Sequence, residues 1–159
     1  MVNLTGPDTD GLPPKLAEIV EEFHAVSERD RLKLLLEYSD GLPALPPHLE
    51  GHPELMEQVE ECQSPVFVAV ELDGDDRAHL HFSAPAEAPT TRGFAGVLRE
   101  GLQGMSSSEV LDVPDDFCAR LGLVQAISPL RLRGMTGMLG RVKRQVRASN
   151  AATAASQGR

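Results

Sequence analysis

Cysteine, aromatic side chains and long apolar runs are all scarce in this sequence. Its 159 residues include two cysteines, no tryptophan and an aromatic content of 4%. Because two cysteines are too few for a disulfide framework, we expect Cys62 and Cys118 to be free thiols in a reducing compartment. No apolar run approaches the roughly 18 residues that a membrane-spanning helix needs. The sequence therefore predicts a protein that does not cross a membrane.

The amino terminus lacks the features of an export signal. Its first residues, "MVNLTGPDTDGLPP", contain neither a basic stretch nor an apolar stretch, so we expect the protein to be cytoplasmic. The chain length suits one domain, because single domains commonly have about 100–200 residues. Nothing in the sequence requires more than a monomer.

Basic residues are in the minority, and they are unevenly distributed. The net charge of −9 argues against a nucleic-acid partner, since phosphate binding needs a basic surface. All 24 acidic residues lie within 1–116 with seven Lys or Arg, whereas 117–159 contain eight Lys or Arg and no acid. This basic segment has two interpretations. Its cations stabilise the dipole of their own helix and pair with the acidic remainder of the domain, or they form a docking edge for a protein partner.

Hydrophobic periodicity predicts an α+β domain over 13–147, with disordered tails at 1–12 and 148–159. Alternating β-branched residues predict an antiparallel hairpin of 66–72 and 77–83. A lone hairpin is marginally stable, so the sheet must pack against helices, and we expect a third strand that the pattern does not locate. A proline-rich loop is predicted over 41–55. The predicted helices cover 13–26, 27–40, 90–102, 106–113, 117–121 and 128–147, and three glycines in the helix over 90–102 predict its close approach to the sheet.

The stretch "EECQSPVFV" places Cys62 at the boundary between the loop and the first strand of the hairpin. That position offers access to a reagent, which a reactive thiol needs. The adjacent acids Glu60 and Glu61 oppose reactivity, because nearby carboxylates disfavour a thiolate. A cation elsewhere in the chain would have to compensate. From position alone, Cys62 is either a reactive thiol or a buried structural cysteine.

Three segments in order resemble the SufE-type sulfur acceptor family. "QVEECQSPVFV" resembles the family's cysteine segment, a Cys-x-Ser-x-Val-aromatic run that leads into a strand. "APAEAPTTRGFAGVL" is similar to its acidic, Lys-or-Arg, glycine stretch. "LDVPDDFCARLGLVQAISPLRLRGM" is similar to its late segment with a Ser/Thr-Pro-x-Arg-x-x-Gly signature. The resemblance covers roughly 15–147, although Glu61 stands where many members have glycine.

The resemblance implies a compact domain related in fold to the IscU-type scaffold proteins, with a small antiparallel sheet packed against several helices. It implies that Cys62 carries a persulfide received from a PLP-dependent cysteine desulfurase of the SufS type, whose activity the protein stimulates. The sulfur would then pass to an iron–sulfur assembly complex such as SufBCD. The protein would be an accessory sulfurtransferase that holds no cofactor of its own. Arg131 is the signature arginine, and Glu87 stands at the family's acidic position.

The role of Arg131 remains open between two interpretations. It stabilises the Cys62 thiolate or orders the cysteine loop, offsetting the charges of Glu60 and Glu61, or it only caps or pairs near a helix start. Cys118 is predicted to be structural, because its apolar neighbours suggest a helix packed on the core.

A second function remains possible, namely an iron–sulfur or zinc scaffold of the same fold. Such scaffolds use several cysteines, and only Cys62 lies in the loop-and-hairpin region. The remaining candidate ligands are four histidines, and we favour interpreting them as solvent-facing side chains rather than a metal site: His48, His52, His79 and His81.

Overall fold

The computed structural model describes residues 7–157 of the chain. Most of the predicted amino-terminal tail, 1–6, lies outside the described residues. Along the described residues, two α-helices are followed by three strands and then by four further α-helices. The helices are α1 (Pro14–His24), α2 (Glu28–Asp40), α3 (Pro89–Leu102), α4 (Ser107–Leu111), α5 (Phe117–Arg120) and α6 (Pro129–Gln157). The strands are β1 (Glu57–Gln58), β2 (Phe67–Leu72) and β3 (Ala78–Ser83), and a single 3-10 turn covers Pro53–Leu55.

Capping residues and proline fix where several helices begin. Ser27 accepts the Asp30 backbone N–H at the start of α2. At α4, Ser106 and Glu109 form the reciprocal pair of bonds of a capping box. Proline opens α1, α3 and α6, where its missing N–H costs nothing and its fixed φ suits the first turn.

The three strands form an antiparallel sheet in the order β1-β2-β3. The hairpin of β2 and β3 was predicted, and its register pairs Ala69 with His81. The strand that the sequence did not locate is β1, which pairs with the start of β2 just after the proline-rich loop. The structure is therefore an α+β fold with a small antiparallel sheet, as predicted.

One face of the sheet carries the core. Leu80 and Phe82 are buried, whereas His79 and His81 between them are only partly covered. Helix α6 packs on β2, and α3 packs on β3 and against α1, α2 and α6. The largest buried side chains are Phe23, Phe94 and Phe117. The apolar stripes of α1 and α3 are fully buried and consist of Leu16, Ile19, Val20, Phe23, Phe94, Val97, Leu98 and Leu102.

The glycines of α3 permit close helix contacts rather than a close approach to the sheet. A Cβ on Gly93 would collide with the Leu35 carbonyl oxygen of α2, and one on Gly96 with that of Tyr38. A Cβ on Gly101 would meet the Leu16 side chain of α1. Helix α3 does pack on β3, but the prediction that its glycines serve an approach to the sheet was wrong, because the glycine side of this central helix faces the first two helices.

Glutamine side chains complete both edges of the sheet. At the β2 edge, where β1 is only two residues long, Gln145 of α6 accepts the Val70 N–H at 2.7 Å and donates to the Val68 carbonyl at 3.1 Å. At the β3 edge, Gln103 accepts the Leu80 N–H at 2.9 Å. Exposed edges have unpaired backbone groups that invite other chains to pair. In this sheet, the side-chain amides of Gln145 and Gln103 form hydrogen bonds with three of these edge groups, namely the Val70 N–H, the Val68 carbonyl and the Leu80 N–H.

The last helix is longer than the sequence predicted. It continues through Gln157, into the segment for which a disordered tail over 148–159 was predicted. Alanine, the best helix former, recurs in "RASNAATAASQ" and extends the helix beyond Val146, the last buried residue among positions 129–153. None of the helices within 7–157 combines the length and apolar composition that a bilayer-spanning segment requires.

Candidate functional site

Cys62 lies in the turn that connects β1 to β2. The ladder between these strands is extended by the Val59 N–H, which donates to the Val66 carbonyl at 2.8 Å. The Cys62 N–H donates to the Val59 carbonyl at 3.1 Å, so the chain turns sharply at the cysteine. The Cys62 side chain is partly exposed. The sheet therefore holds both ends of a short turn that presents the thiol.

The thiol opens into a small cavity of about 90 Å³. Pockets for drug-sized ligands are larger, roughly 300–1,000 Å³, so this cavity has room for only a few atoms. Three segments distant in sequence form it: the cysteine turn, the start of α3 with the loop before it, and the first turns of α6. The lining residues are Glu61, Cys62, Gln63, Ser64, Glu87, Ala88, Thr90, Thr91, Leu130, Arg131 and Gly134. The three predicted site residues, Cys62, Glu87 and Arg131, thus lie around one cavity.

Two glycines on one face of α6 make room for the cysteine turn. A Cβ on Gly134 would lie 2.9 Å from the Cys62 Sγ, which is inside ordinary contact distance. A Cβ on Gly137 would lie 2.8 Å from the Glu61 Cδ. Residues three apart in a helix share a face. The absence of side chains at these two positions therefore lets the turn rest directly on α6.

The cation that pairs with Glu61 is Arg141, not Arg131. Its guanidinium donates to both Glu61 oxygens, at 2.6 and 3.1 Å, and its Nε lies 3.3 Å from a Glu57 oxygen. Glu57 also pairs with Arg144. The expectation that Arg131 offsets the charges before Cys62 was wrong for Glu61. Arg131 lies at the start of α6, about three helical turns before Arg141, the residue that pairs with Glu61.

The environment of Cys62 disfavours its thiolate. Partial burial raises the pKa of the Cys62 thiol to about 11, and the Glu61 carboxylate acts in the same direction. The Arg141 guanidinium lowers this pKa, but by less than the other two raise it. Because the thiolate is the nucleophile, the thiol in this state is protonated and weakly reactive at neutral pH.

Arg131 and Glu87 are both exposed side chains at the cavity. The Arg131 guanidinium donates to the Thr90 hydroxyl at 3.3 Å, which joins the start of α6 to the start of α3. Its backbone N–H donates to the Ser128 hydroxyl at 3.3 Å, so Ser128 provides the helix cap. The Arg131 side chain therefore lines the cavity and pairs near the start of α3, while Ser128 caps the helix that carries it.

Cys118 and the histidines lie away from this cavity. Cys118 is buried on α5, with its Sγ 3.3 Å from the Thr136 hydroxyl. His48 and His81 each contact Glu71, at 3.1 and 2.7 Å. Within the described part of the chain, no group of three or more His, Cys, Asp or Glu side chains is placed to hold a metal ion.

Fold and site together define a class of protein: a small α+β domain in which a turn between two strands, packed on a helix, presents one cysteine to a cavity with room for a few atoms. The family model described as "SufE: Fe-S metabolism associated domain" matches residues 17–146. This chain therefore belongs to the SufE family.

Relatives from several organisms align with most of this chain. A SufE-like protein of Mycobacterium tuberculosis is 54% identical over 136 residues, which cover 86% of this chain and 94% of the relative. The cysteine desulfuration protein SufE of Plasmodium falciparum is 24% identical over 140 residues, 86% of this chain and 55% of the relative. A protein of Thermus thermophilus with a known solution structure is 42% identical, with a TM-score of 0.78 over 88% of this chain and 98% of that one.

Proposed function

We propose that this protein accepts sulfane sulfur on Cys62 from a PLP-dependent cysteine desulfurase and passes it to iron–sulfur cluster assembly. The observation that carries the proposal is the placement of the Cys62 thiol with Glu87 and Arg131 around one small cavity, in a chain of the SufE family. The PLP belongs to the desulfurase. We further propose that the desulfurase is of the SufS type, that the receiving complex resembles SufBCD, and that the protein acts as a cytoplasmic monomer.

The transfer is a displacement at sulfur. The Cys62 thiol loses its proton, and its thiolate attacks the outer sulfur of the persulfide on the desulfurase cysteine. A new sulfur–sulfur bond forms as the old one breaks, and the desulfurase cysteine leaves as a thiolate that takes up a proton. Cys62 then carries the persulfide, and no external oxidant or reductant is consumed. A cavity with room for a few atoms suits one additional sulfur.

Docking must change the state of the thiol for this reaction to be fast. With a pKa of about 11, Cys62 is almost fully protonated near neutral pH. A protonated, partly covered thiol resists oxidation, which favours exposed thiolates. We therefore propose that the desulfurase supplies the environment in which Cys62 ionises. Arg131, with its exposed guanidinium at the cavity, is our candidate for stabilising the thiolate or the turn in that complex, and Glu87 is our candidate contact beside it.

The two cysteines are poorly placed for a shared iron–sulfur or zinc site. Cys62 contacts α6 at Gly134, whereas Cys118 contacts it at Thr136. Neighbouring residues are turned by about 100° around a helix axis, so positions two apart point to different sides. A cluster needs several cysteine ligands around the same metal ions. The geometry thus favours a thiol carrier over a scaffold.

Intact-mass spectrometry tests the proposal directly. The protein is incubated with a SufS-type desulfurase, PLP and cysteine, then measured before and after reduction. We expect a gain equal to the mass of one sulfur atom, reversed by reductant, in the native chain and in Cys118→Ser. We expect no gain in Cys62→Ser, and no stimulation of sulfide release by that variant. Sulfur loading of Cys62→Ser, or equal stimulation by it, would contradict the proposal.

A further inference from the structure

We propose that Arg141 is a positioning residue that keeps the cysteine turn seated on α6 by holding Glu61 over Gly137. The inference deepens the proposed function and rests on it in one respect, that Cys62 is the sulfur-accepting thiol. Arg141 lies outside the three segments that resemble the family's motifs. The inference also accounts for the acidic residue beside the cysteine, where many family members have glycine.

The ion pair between Arg141 and Glu61 is bidentate and partly buried. The two terminal guanidinium nitrogens, Nη1 and Nη2, donate to the Glu61 carboxylate, and the Arg141 and Glu61 side chains are 21% and 37% exposed. Paired bonds of this kind fix orientation better than one contact between mobile surface charges. The same guanidinium reaches Glu57 in β1. Arg141 therefore holds both the beginning and the end of the segment that leads into Cys62.

The surface under the turn depends on missing side chains. Gly137 leaves the space in which the Glu61 carboxylate lies, and Gly134 leaves the space for the Cys62 Sγ. In α6, Gly134, Gly137 and Arg141 have the spacing i, i+3, i+7 and so share one face. Helix α6 thus leaves room for the cysteine turn at Gly134 and Gly137. Arg141, about one helical turn beyond Gly137, provides the cation that holds the cysteine turn in place.

Seating the turn has a chemical consequence for the thiol. The charged groups in or facing the turn are Glu60 and Glu61 within it, Glu87 from the loop before α3, and Arg131 and Arg141 from α6. Burial against this surface is the largest influence that disfavours the thiolate, larger than either the Glu61 or the Arg141 charge. If Arg141 positions the turn, its removal should make the thiol more reactive. If it acts only as a nearby positive charge, its removal should make the thiol less reactive.

Labelling of Cys62 by iodoacetamide distinguishes these two roles and needs no desulfurase. The rate is measured between pH 7 and 10 by intact mass, in a Cys118→Ser background. We expect Arg141→Gln to raise the rate at pH 8 by about threefold, because the loss of one pKa unit raises the thiolate fraction about tenfold and lowers the nucleophilicity of the thiolate about threefold. Arg141→Lys retains a cation that can reach Glu61, although with one ammonium in place of a bidentate guanidinium, and we expect its rate to stay within about 1.5-fold of the native rate.

Two glycine variants provide a matched test without any change of charge. Gly137→Ala places a methyl group against the Glu61 carboxylate, whereas Gly140→Ala, on the same helix, meets no atom within 4 Å. Both replace glycine by a better helix former, so neither should unfold the helix. We expect Gly137→Ala to accelerate labelling and Gly140→Ala to leave it unchanged. Thermal unfolding followed by circular dichroism confirms that each variant is folded.

The inference is overturned if either Arg141→Gln or Gly137→Ala is labelled no faster than Gly140→Ala. Its outcome is independent of the proposed function, because iodoacetamide replaces the sulfur donor. If the native protein accepts no sulfur from the desulfurase but the labelling rates follow the expected order, the proposed function fails while the role of Arg141 in seating the turn stands. If the native protein accepts sulfur but the labelling rates do not follow the expected order, the proposed function stands and the role of Arg141 fails.

Discussion

The reactivity of Cys62 should respond to pH in a way that an ordinary thiol does not. The test raises the pH from 7 to 12 and measures the rate of thiol–disulfide exchange at Cys62. With a pKa of about 11 against roughly 8.5 for a free cysteine, the thiolate fraction at pH 8 is roughly 200-fold lower. A more basic thiolate is also a better nucleophile. With a Brønsted slope of about 0.45, this difference in pKa makes the Cys62 thiolate roughly tenfold more reactive than that of a free cysteine. The net expectation is exchange roughly 20-fold slower than for a free cysteine at pH 8.

The assay follows release of thiopyridone from dithiodipyridine by the Cys118→Ser variant. The same chain unfolded in urea provides the ordinary thiol, and circular dichroism at each pH confirms that the native fold persists. We expect the native rate to rise about tenfold for each pH unit through pH 10, as a thiol titrating well above that range requires. A plateau above about pH 9.5, with the native and unfolded rates superimposed, would refute the conclusion that burial and Glu61 suppress ionisation of Cys62.

Single side chains give three further predictions. Gly134→Ala places a methyl group against the Cys62 Sγ, and we expect the thiol to react with dithiodipyridine about threefold faster. The displaced thiol loses about one unit of pKa, which raises the thiolate fraction about tenfold but makes the thiolate about threefold less nucleophilic. Gln145→Leu leaves the Val70 N–H at the sheet edge without its acceptor, and urea unfolding should show a loss of about 1–3 kcal/mol. Lys143→Met removes a buried ammonium that donates to a backbone carbonyl, and should cost about 1–3 kcal/mol in the same measurement. An unchanged rate in the first case, or unchanged unfolding midpoints in the other two, would contradict them.

Strong local patterns allowed most of the fold to be predicted. The α1 stripe of Leu16, Ile19, Val20 and Phe23 has helical spacing, and all four side chains are buried. The hairpin follows from alternation that is visible within each strand. By contrast, β1 has only two residues and no alternation to detect, and it exists because β2 pairs with it and Gln145 donates to its Glu57 side chain. The ordered carboxy-terminal extension of α6 reflects helix propensity, which a search for buried stripes does not register.

The candidate site was predictable in its residues but not in its electrostatics. Family resemblance selected Cys62, Glu87 and Arg131, and the fold brings them to one cavity. Arg141 was missed because its partner Glu61 is 80 residues away in sequence. A signal was present nonetheless: Arg141 follows Gly134 at i+7 and therefore lies on the same face of the last helix. Using that signal requires knowing that this face meets the cysteine turn, which is tertiary information.

The Gln145 contact at the sheet edge has a consequence for the order in which the protein is made. A ribosome releases the chain from its amino terminus, so β1, β2 and the Cys62 turn emerge long before the helix that supports them. Until Gln145 has emerged, the Val70 N–H lacks its acceptor, and until Gly134 has emerged, the thiol lacks the surface on which it rests. The nascent chain therefore exposes both a pairing edge and a reactive sulfur. Completion of the final helix removes the two hazards at the same time.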